Sequence, residues 1–499
     1  MPQRLFFLPF KIFKLALLLI AVLCISVVCS AQSYIGYHSS TYAGVYGIVT
    51  SPADILNHRF RGDINLAGVS SYVGNNIFTF RYKAVNDENL TYPDSVKRMG
   101  KLNFNTDVFG PSVLIKLSDK HAIAVTTRAR VKANVHGVSS QVLNSIIQGI
   151  DENNKRIATG NVTANVHAWK EIAVTYSRQV ANTDYGVWKA GFSLKYLGGV
   201  AALSVNSNNL AFTRDSVIDA TNTKKDAFIN AQGNITLNYT KSIDSFSDNV
   251  NDYLSFKNPG VGIDIGVSYE YRDEMQVYQT AYSDRTANYI WKLGASITDI
   301  GFIRYNKQQA NSFVVNFSGN TYTTDQLEPP SDSSDVYQLN NYYKNLFKAR
   351  AESSAFTMQL PTTLHLTYDR FFNKALGVQA LINVPLIFSR ISYYAGNYNP
   401  VSVIITPRAE APWGGFYLPV SYNSISGVKA GAAIRLGPLV IGSSSIINTR
   451  MLNKTKAVDA YFILRIPFFG YRAYRDKDEF EKHPKLTKKQ RRELNCPGK

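Results

Sequence analysis

The chain has 499 residues, of which 45% are hydrophobic and 12% aromatic, and its 54 Lys and Arg outnumber its 36 Asp and Glu, for a formal net charge of +18. This length fits either several soluble domains or one large barrel. Tyr (31) is even more frequent than Phe (27), which favours the barrel because aromatic side chains line membrane interfaces.

The first 31 residues have the pattern of a secretory signal peptide. An apolar run, "LALLLIAVLCISVV", is followed by small residues and preceded by Arg4, Lys11 and Lys14. We therefore expect export to the outer membrane, with cleavage near Ala31/Gln32. A retained anchor and a lipoprotein acylated at Cys29 are the alternatives. The mature chain would keep only Cys496, which excludes an internal disulfide and a thiolate metal cluster.

Residues 32–60 are small, turn-rich and not alternating. Within them, Ser51 can cap a helix, Pro52 suits its first position, and Asp54 places a negative charge near the helix start. We predict that this segment, with Ala53 in its helix, folds into the barrel as a hatch or plug. The alternative is a disordered periplasmic leader.

Residues 61–470 alternate between apolar and polar side chains. In "AIAVTTRARVKANV" (122–135), "VGIDIGVSYEYR" (261–272) and "VDAYFILRIPF" (458–468), one set of alternate residues is mainly apolar and the other set carries the charged residues. More than ten such stretches predict an all-β protein, a transmembrane antiparallel β-barrel whose strands face lipid on one side. A soluble β-sandwich is the alternative. No stretch after residue 31 is long and apolar enough for a membrane helix, so a closed barrel is the expected membrane fold.

The connections differ in length. Short turns are predicted at 118–121, 181–186 and 372–375, whereas long polar connections are predicted at 84–106, 136–164, 205–229, 243–258 and 320–354. This asymmetry is typical of outer-membrane barrels, whose long loops lie outside the cell. The helical patterns "SSQVLNSIIQGI" and "SDVYQLNNYYKNLF" fall in two of the loops. The length predicts about 14 strands, with 16 possible.

The polar faces of these strands carry many charges, which we expect to line the lumen. They either pair with one another and with the plug, or line a water-filled path that favours anions. The predicted lumen-lining charges are Lys116, Arg128, Arg130, Lys132, Asp264, Glu270, Arg272, Lys292, Lys429, Arg435, Asp459 and Arg465; Glu171, Lys195 and Asp369 share the same faces.

We expect neither an enzyme nor a cofactor. His365 and Asp369 share one strand face, but this spacing does not by itself make a hydrogen-bonded dyad, and no metal-binding His spacing occurs. The tail, residues 471–499, carries ten Lys or Arg and five Asp or Glu. It is either a solvated periplasmic extension or a docking segment for an envelope partner. Because the chain is expected to be exported, we expect no nucleic-acid partner.

Several stretches resemble known barrels. "AGVYGIVTSPADIL" followed by "DINLAGVSSYVGNN" resembles the hatch-then-barrel start of FadL-like outer-membrane proteins, in which an Asn-Pro-Ala step stands where this chain has Ser51-Pro52-Ala53. "GVGIDIGVSYEYR", "WKLGASITDIGFIRY" and "LPTTLHLTYDRFFNKALGVQALINVP" are similar to a Bacteroidetes barrel family of unknown function, distantly related to FadL. The resemblance covers most of residues 32–470 and implies a 14-stranded barrel without an established substrate.

Two functional hypotheses follow. The first is an accessory or scaffold component of an envelope assembly for secretion or outer-membrane biogenesis. It would be embedded in outer-membrane lipid and bind envelope proteins through its loops or its periplasmic tail. The alternative is a FadL-like transporter or pore for hydrophobic or anionic small molecules.

Overall fold

The computed structural model describes residues 34–81, 90–91, 97–147, 156–183, 185–218, 222–243, 256–272, 289–306, 310–329, 336–351, 355–373, 375–386 and 394–468. The predicted signal peptide (1–31) and the predicted basic tail (471–499) lie outside these residues.

The wall is one antiparallel sheet that closes on itself into a 14-stranded barrel, as the sequence predicts. The ring closes where the first wall strand pairs with the last, from Gly62 opposite Phe468 to Gly74 opposite Ala457. Several wall strands consist of two or three segments in line. The wall strands are β1 (Gly62–Asn75), β2 (Gly100–Phe109 and Ser112–Ser118), β3 (His121–Val138), β4 (Thr163–Asn182), β5 (Gly186–Ile218), β6 (Lys224–Thr240 and Asn258–Tyr271), β7 (Trp291–Tyr305 and Ala310–Thr323), β8 (Arg350–Ala351, Phe356–Gln359 and Thr363–Phe371), β9 (Leu376–Pro385), β10 (Ser402–Ala411), β11 (Gly414–Tyr417 and Val420–Asn423), β12 (Gly427–Ala430 and Ala432–Leu436), β13 (Leu439–Ser443) and β14 (Ala457–Phe468).

The period of two decides which side chains face lipid. On β5, Trp188, Phe192 and Leu194 are exposed, whereas Lys189 and Lys195 on the alternate positions are buried. The other wall strands repeat this pattern, so that apolar side chains cover the outside and polar side chains fill the inside. A closed sheet with this surface satisfies its backbone hydrogen bonds within lipid, which is the fold of an outer-membrane barrel.

One predicted loop is wrong. Residues 205–229 are not a long polar connection, because β5 runs on to Ile218 and pairs with the first segment of β6 from Lys224. This part of β5 is polar on both faces, so its sequence lacks the alternation of a lipid-facing strand. Its ladder hydrogen bonds nevertheless form a hairpin, because backbone pairing does not depend on an apolar face.

The helices are short. The two helical patterns predicted within loops are confirmed as α1 (Ser140–Ile147) and α3 (Val336–Leu346), and α2 (Thr324–Leu327) lies between them and starts with a Thr323–Gln326 capping box. Three 3-10 helices precede β1, and a π-helix (Asn448–Leu452) follows β13. Within the described ranges, no helix is both long and apolar enough to cross a membrane. Four further short strands lie beside the wall: Thr79–Phe80, Leu90–Thr91, Arg156–Gly160 and Tyr394–Gly396.

Candidate functional site

Residues 34–60, here called the N-terminal segment, lie inside the barrel. The segment is almost entirely buried and forms three 3-10 helices, Tyr37–Ser39, Gly44–Val49 and Pro52–Asn57. The Tyr34 hydroxyl donates to the Asp107 carbonyl on β2 at 3.1 Å, and the Tyr461 hydroxyl on β14 donates to the Ile35 carbonyl at 2.8 Å. The chain therefore occupies the lumen before it enters the wall at β1.

One side of the segment packs through tyrosines, and we call these contacts the aromatic side. The Tyr34 and Tyr46 ring centroids lie 4.5 Å apart, and Tyr46 lies 4.8 Å from Phe109 of β2. Tyr37 meets Tyr417 of β11 edge-on at 5.8 Å. The rings belong to one buried cluster with aliphatic side chains from both the segment and the wall. Aromatic pairs of this geometry stabilise beyond their apolar burial, so this side is firmly held.

The predicted hatch residues pack against two glycines of the barrel wall. Ser51 caps the third 3-10 helix, accepting from the Ala53 amide at 3.3 Å, and Pro52 is the first helical residue, as the sequence predicts. Beneath them, Gly191 of β5 and Gly266 of β6 are directly paired. A Cβ on Gly191 would lie 2.5 Å from the carbonyl carbon of Pro52, and a Cβ on Gly266 would lie 2.7 Å from Ser51 Oγ. The wall thus leaves room for the helix only because both positions lack a side chain.

The end of this helix meets charged wall residues, and we call these contacts the polar side. Asp54 Oδ1 accepts from Lys292 Nζ of β7 at 2.7 Å, and the Asn57 side chain accepts from Lys189 of β5. Lys189 also pairs with Glu270 of β6 at 2.7 Å. The polar side is therefore an ion-pair network between the segment and three wall strands. Arg272 extends it, 3.2 Å from Glu270.

A second network lies deeper in the lumen. Arg128 Nε donates to Asp107 at 2.7 Å, and its Nη1 lies 3.2 Å from Glu171. Arg130, one inward position further along β3, lies 2.8 Å from Asp299 and 3.7 Å from Glu171. The two arginines predicted on β3 are thus neutralised by carboxylates from β2, β4 and β7. The third predicted charge on β3, Lys132, donates instead to the Asn399 side chain.

Asp299 joins this network but was not among the predicted lumen residues. Strict alternation from Ile297 would turn it outward, but the β6–β7 register shifts between Ile263 and Ile265, and Asp299 takes a left-handed backbone conformation (φ 59°). Such a bulge re-aims a side chain. Asp299 therefore faces inward and accepts from Lys195 at 2.7 Å, while its amide donates to Asp264 at 2.7 Å.

The predicted charges of the last strands make mostly separate contacts. Arg435 of β12 donates to the carbonyls of Pro412 and Gly414, each at 2.8 Å, which ties down the β10–β11 turn. Arg465 of β14 lies 3.3 Å from Asp63 of β1, across the closure of the barrel.

Three predicted charges remain. Asp459 of β14 accepts from the Ser444 amide at 2.6 Å. Lys429 of β12 donates to Ser444 Oγ at 3.4 Å, and its ammonium lies 4.4 Å from the Tyr72 ring centroid. Lys116 of β2 is only partly buried, close to the turn at 118–121.

The structure separates His365 from Asp369. His365 Nε2 lies 2.8 Å from Thr298 Oγ1, whereas Asp369 accepts from Arg408 at 2.8 Å and from the Tyr289 hydroxyl at 3.0 Å. The two share a strand face but have different partners. Across the described residues, no group of three or more His, Cys, Asp or Glu is placed to hold a metal ion.

Two histidines of the N-terminal segment are buried in their neutral form. Burial, with a smaller effect of His365 and Arg408, lowers the pKa of His38 to about 3. Burial, together with the nearby Arg465, also lowers the pKa of His58 well below its usual value. His58 Nδ1 accepts from the Gly44 amide at 3.2 Å, which a protonated imidazole could not do.

Comparison with known families finds one match. The family described as "Family of unknown function (DUF5723)" matches residues 52–444, and no curated protein matches the chain.

Several solved barrels resemble the chain at low identity. A FadL homologue from Pseudomonas aeruginosa has 10% identity and a TM-score of 0.38, over 88% of this chain and 98% of that one. The toluene transporter TodX from Pseudomonas putida has 10% identity and a TM-score of 0.31, over 87% and 97%. A TodX deltaS2S3 mutant, described as a monoaromatic hydrocarbon channel, has 10% identity and a TM-score of 0.38, over 89% and 97%.

Proposed function

Because the chain belongs to the DUF5723 family of unknown function, we propose a function from the geometry of the barrel itself. The protein is an outer-membrane barrel that passes small solutes through its lumen, and the N-terminal segment is its gate. Of the two functions weighed from the sequence, this is the transport hypothesis, and its solute is polar or anionic.

The observation that carries the proposal is the occupant of the lumen. A 14-stranded wall is too wide for its own side chains to fill, so its permeability depends on what lies inside. Here the occupant is a segment of the same chain, covalently joined to the wall only where it enters β1. Its displacement would open a lumen without breaking the ring of paired strands.

The two sides of the segment suggest how it moves. On the aromatic side, separation would expose buried rings to water, which is costly. On the polar side, the Asp54–Lys292 pair can exchange its partner for water, and a cavity of about 20 Å³ already lies beside Asp54, Asn57 and His58. The Pro52–Asn57 helix is therefore the moving part, and the segment around Tyr34 and Tyr46 stays anchored.

The lining favours polar solutes. The inward side chains of β3, β5, β6 and β7 around the segment are largely charged, amide or hydroxyl groups, and their carboxylates pair with arginines and lysines. Transfer of an apolar molecule past such a surface would strip water from these groups without replacing its hydrogen bonds.

Conductance of the purified protein in a planar lipid bilayer tests the gate. Asp54→Asn removes the ion pair with Lys292, so we expect longer and more frequent open events than in the wild type. Asp325→Asn is the matched control, because its partner Lys225 lies 2.9 Å away at an exposed surface and such pairs contribute little.

Equal conductance of both variants and the wild type would contradict the gate. In that case the accessory role in an envelope assembly, through loops or tail, would become the better proposal. Paired charges inside a closed lumen are also what a sealed scaffold needs.

A further inference from the structure

A chamber lies in the lumen beyond the N-terminal segment. It has a volume of about 100 Å³ and is bounded on one side by Ile48, Val49 and Thr50 of the segment. On the other side it is bounded by Asn399 and Pro400. Its walls carry inward side chains of β2, β3 and β5 to β10. The chamber is therefore enclosed between two stretches of chain that are not part of the barrel wall.

The second stretch, residues 394–401, crosses the lumen. It starts beside β8, where Tyr394–Gly396 pairs in parallel with Thr357–Gln359, and it leads into β10. It also bonds to β3 and β4, and in a ring of 14 strands β3 lies opposite β10. The Asn134 side chain of β3 exchanges two hydrogen bonds with the Tyr398 backbone, at 3.0 and 3.2 Å. Asn165 of β4 donates to the Gly396 carbonyl at 2.6 Å, and the Asn399 amide donates to Thr363 of β8 at 2.7 Å. This crossing segment covers the chamber on the side away from the N-terminal segment.

The chamber is rich in donors. Lys132, 2% exposed, donates to the Asn399 side chain, and among the described residues no carboxylate lies within salt-bridge distance of it. Asn103 Nδ2 and Arg130 Nε are buried without a hydrogen-bond partner. All three side chains line the chamber. Buried donors are normally paired, so Asn103 and Arg130 each keep a donor that a molecule in the chamber would satisfy, beside the ammonium of Lys132.

The carboxylates on the same walls are already paired with other side chains, so they leave these donors free for a ligand. Asp264 accepts from Lys195 at 2.8 Å, and Asp299 accepts from Lys195 and Arg130 at 2.7 and 2.8 Å. A ligand in the chamber would therefore meet an ammonium, an amide N–H and a guanidinium N–H, beside apolar side chains of the N-terminal segment. Such donors form charge-assisted hydrogen bonds with an oxyanion.

We propose that the chamber is a binding site for one small oxyanion, either a carboxylate or inorganic phosphate. Lys132, Asn103 and Arg130 donate to its oxygens, and the N-terminal and crossing segments enclose it. The volume limits the ligand, since a dry protein cavity of about 150 Å³ holds one benzene. The inference deepens the proposed function by naming its solute, and it rests on that function for the path by which the anion enters.

Calorimetric titration of the full-length protein in mild detergent tests the site, with acetate and with inorganic phosphate as separate probes at constant ionic strength. We expect saturable one-to-one binding of at least one probe. Lys132→Met should weaken it about tenfold or more, because it removes a charge-assisted hydrogen bond. Lys429→Met is the matched control, a buried lumen lysine outside the chamber, and should bind as the wild type does.

Asn103→Leu is a second variant should Lys132→Met fail to fold, and it too should weaken binding. No binding by the wild type, or equal affinity in the variants and the control, would overturn the site. This readout is separate from conductance. Binding without conductance would support the anion site and contradict the gate, whereas conductance without binding would support the gate and contradict the anion site.

Discussion

The two sides of the N-terminal segment are held by different chemistry. On the aromatic side, Tyr34, Tyr37 and Tyr46 interlock with rings of β2, β11 and β14. On the polar side, Asp54 and Asn57 meet lysines of β7 and β5. Aromatic packing is lost at once when surfaces separate, whereas ion pairs can be replaced by water. The difference shows how one segment can be both anchored within a barrel and partly released from it.

The largest expected effect comes from breaking the aromatic side. Tyr46→Ala removes a fully buried ring and its 2.6 Å hydrogen bond to Asn65. Truncation of a buried aromatic costs about 3–5 kcal/mol. We expect the segment to become sensitive to protease in detergent and the thermal unfolding midpoint to fall. Tyr368→Ala, on the lipid-facing side of β8, is the control; an equal loss in both variants would contradict the anchor.

A smaller loss is expected at the wall network. Asp299→Asn leaves Arg130 and Lys195 short of a carboxylate, and loss of one partner of a buried pair costs about 3 kcal/mol. Asp226→Asn breaks an exposed pair with Arg214, 2.7 Å apart, and should cost below about 1 kcal/mol. Thermal unfolding of both variants compares them. If Asp299→Asn were as stable as Asp226→Asn, the network would not contribute to the stability of the lumen.

Acidification should release the segment. Burial inside the barrel lowers the pKa of His38 to about 3, whereas in a released segment His38 has the ordinary pKa of about 6.5. The released state therefore binds the extra proton. The free energy that holds the segment inside the barrel then falls as the pH drops below about 6.5, by about 2 kcal/mol at pH 5. His58 acts in the same direction. We expect protease sensitivity of the segment to rise between pH 7 and 5.

The double variant His38→Asn/His58→Asn should lose most of this pH dependence. An unchanged profile in the double variant would assign the effect to other groups.

Much of the fold could be predicted from the sequence. A period of two identifies which β3 and β5 side chains face inward, because the pleat alternates them irrespective of neighbouring strands. The start of the helix at Pro52 is equally local, since Ser51 supplies its own cap. Strand number follows from length.

The pairing inside the lumen could not be predicted in this way. Arg130 contacts both Glu171 and Asp299, and these contacts depend on the register and closure of the ring, which joins residues far apart in sequence. Asp299 itself breaks the alternation through a bulge. The crossing segment 394–401 has no local signal of its route, because its partners are Asn134 and Asn165 on the opposite wall.

A reversible cross-link between the segment and the wall tests the gate most directly. Ser51 Oγ lies 2.7 Å from the position of a Cβ on Gly266, which is too close for two free side chains but near the spacing of about 3 Å between a Cβ and the far sulfur of a disulfide. Ser51→Cys and Gly266→Cys would be combined with Asp54→Asn, and with Cys496→Ser to remove the native thiol. Bilayer conductance would be recorded before and after reduction. We predict a closed barrel when the disulfide is formed and open events after reduction; equal conductance in both states would contradict the gate.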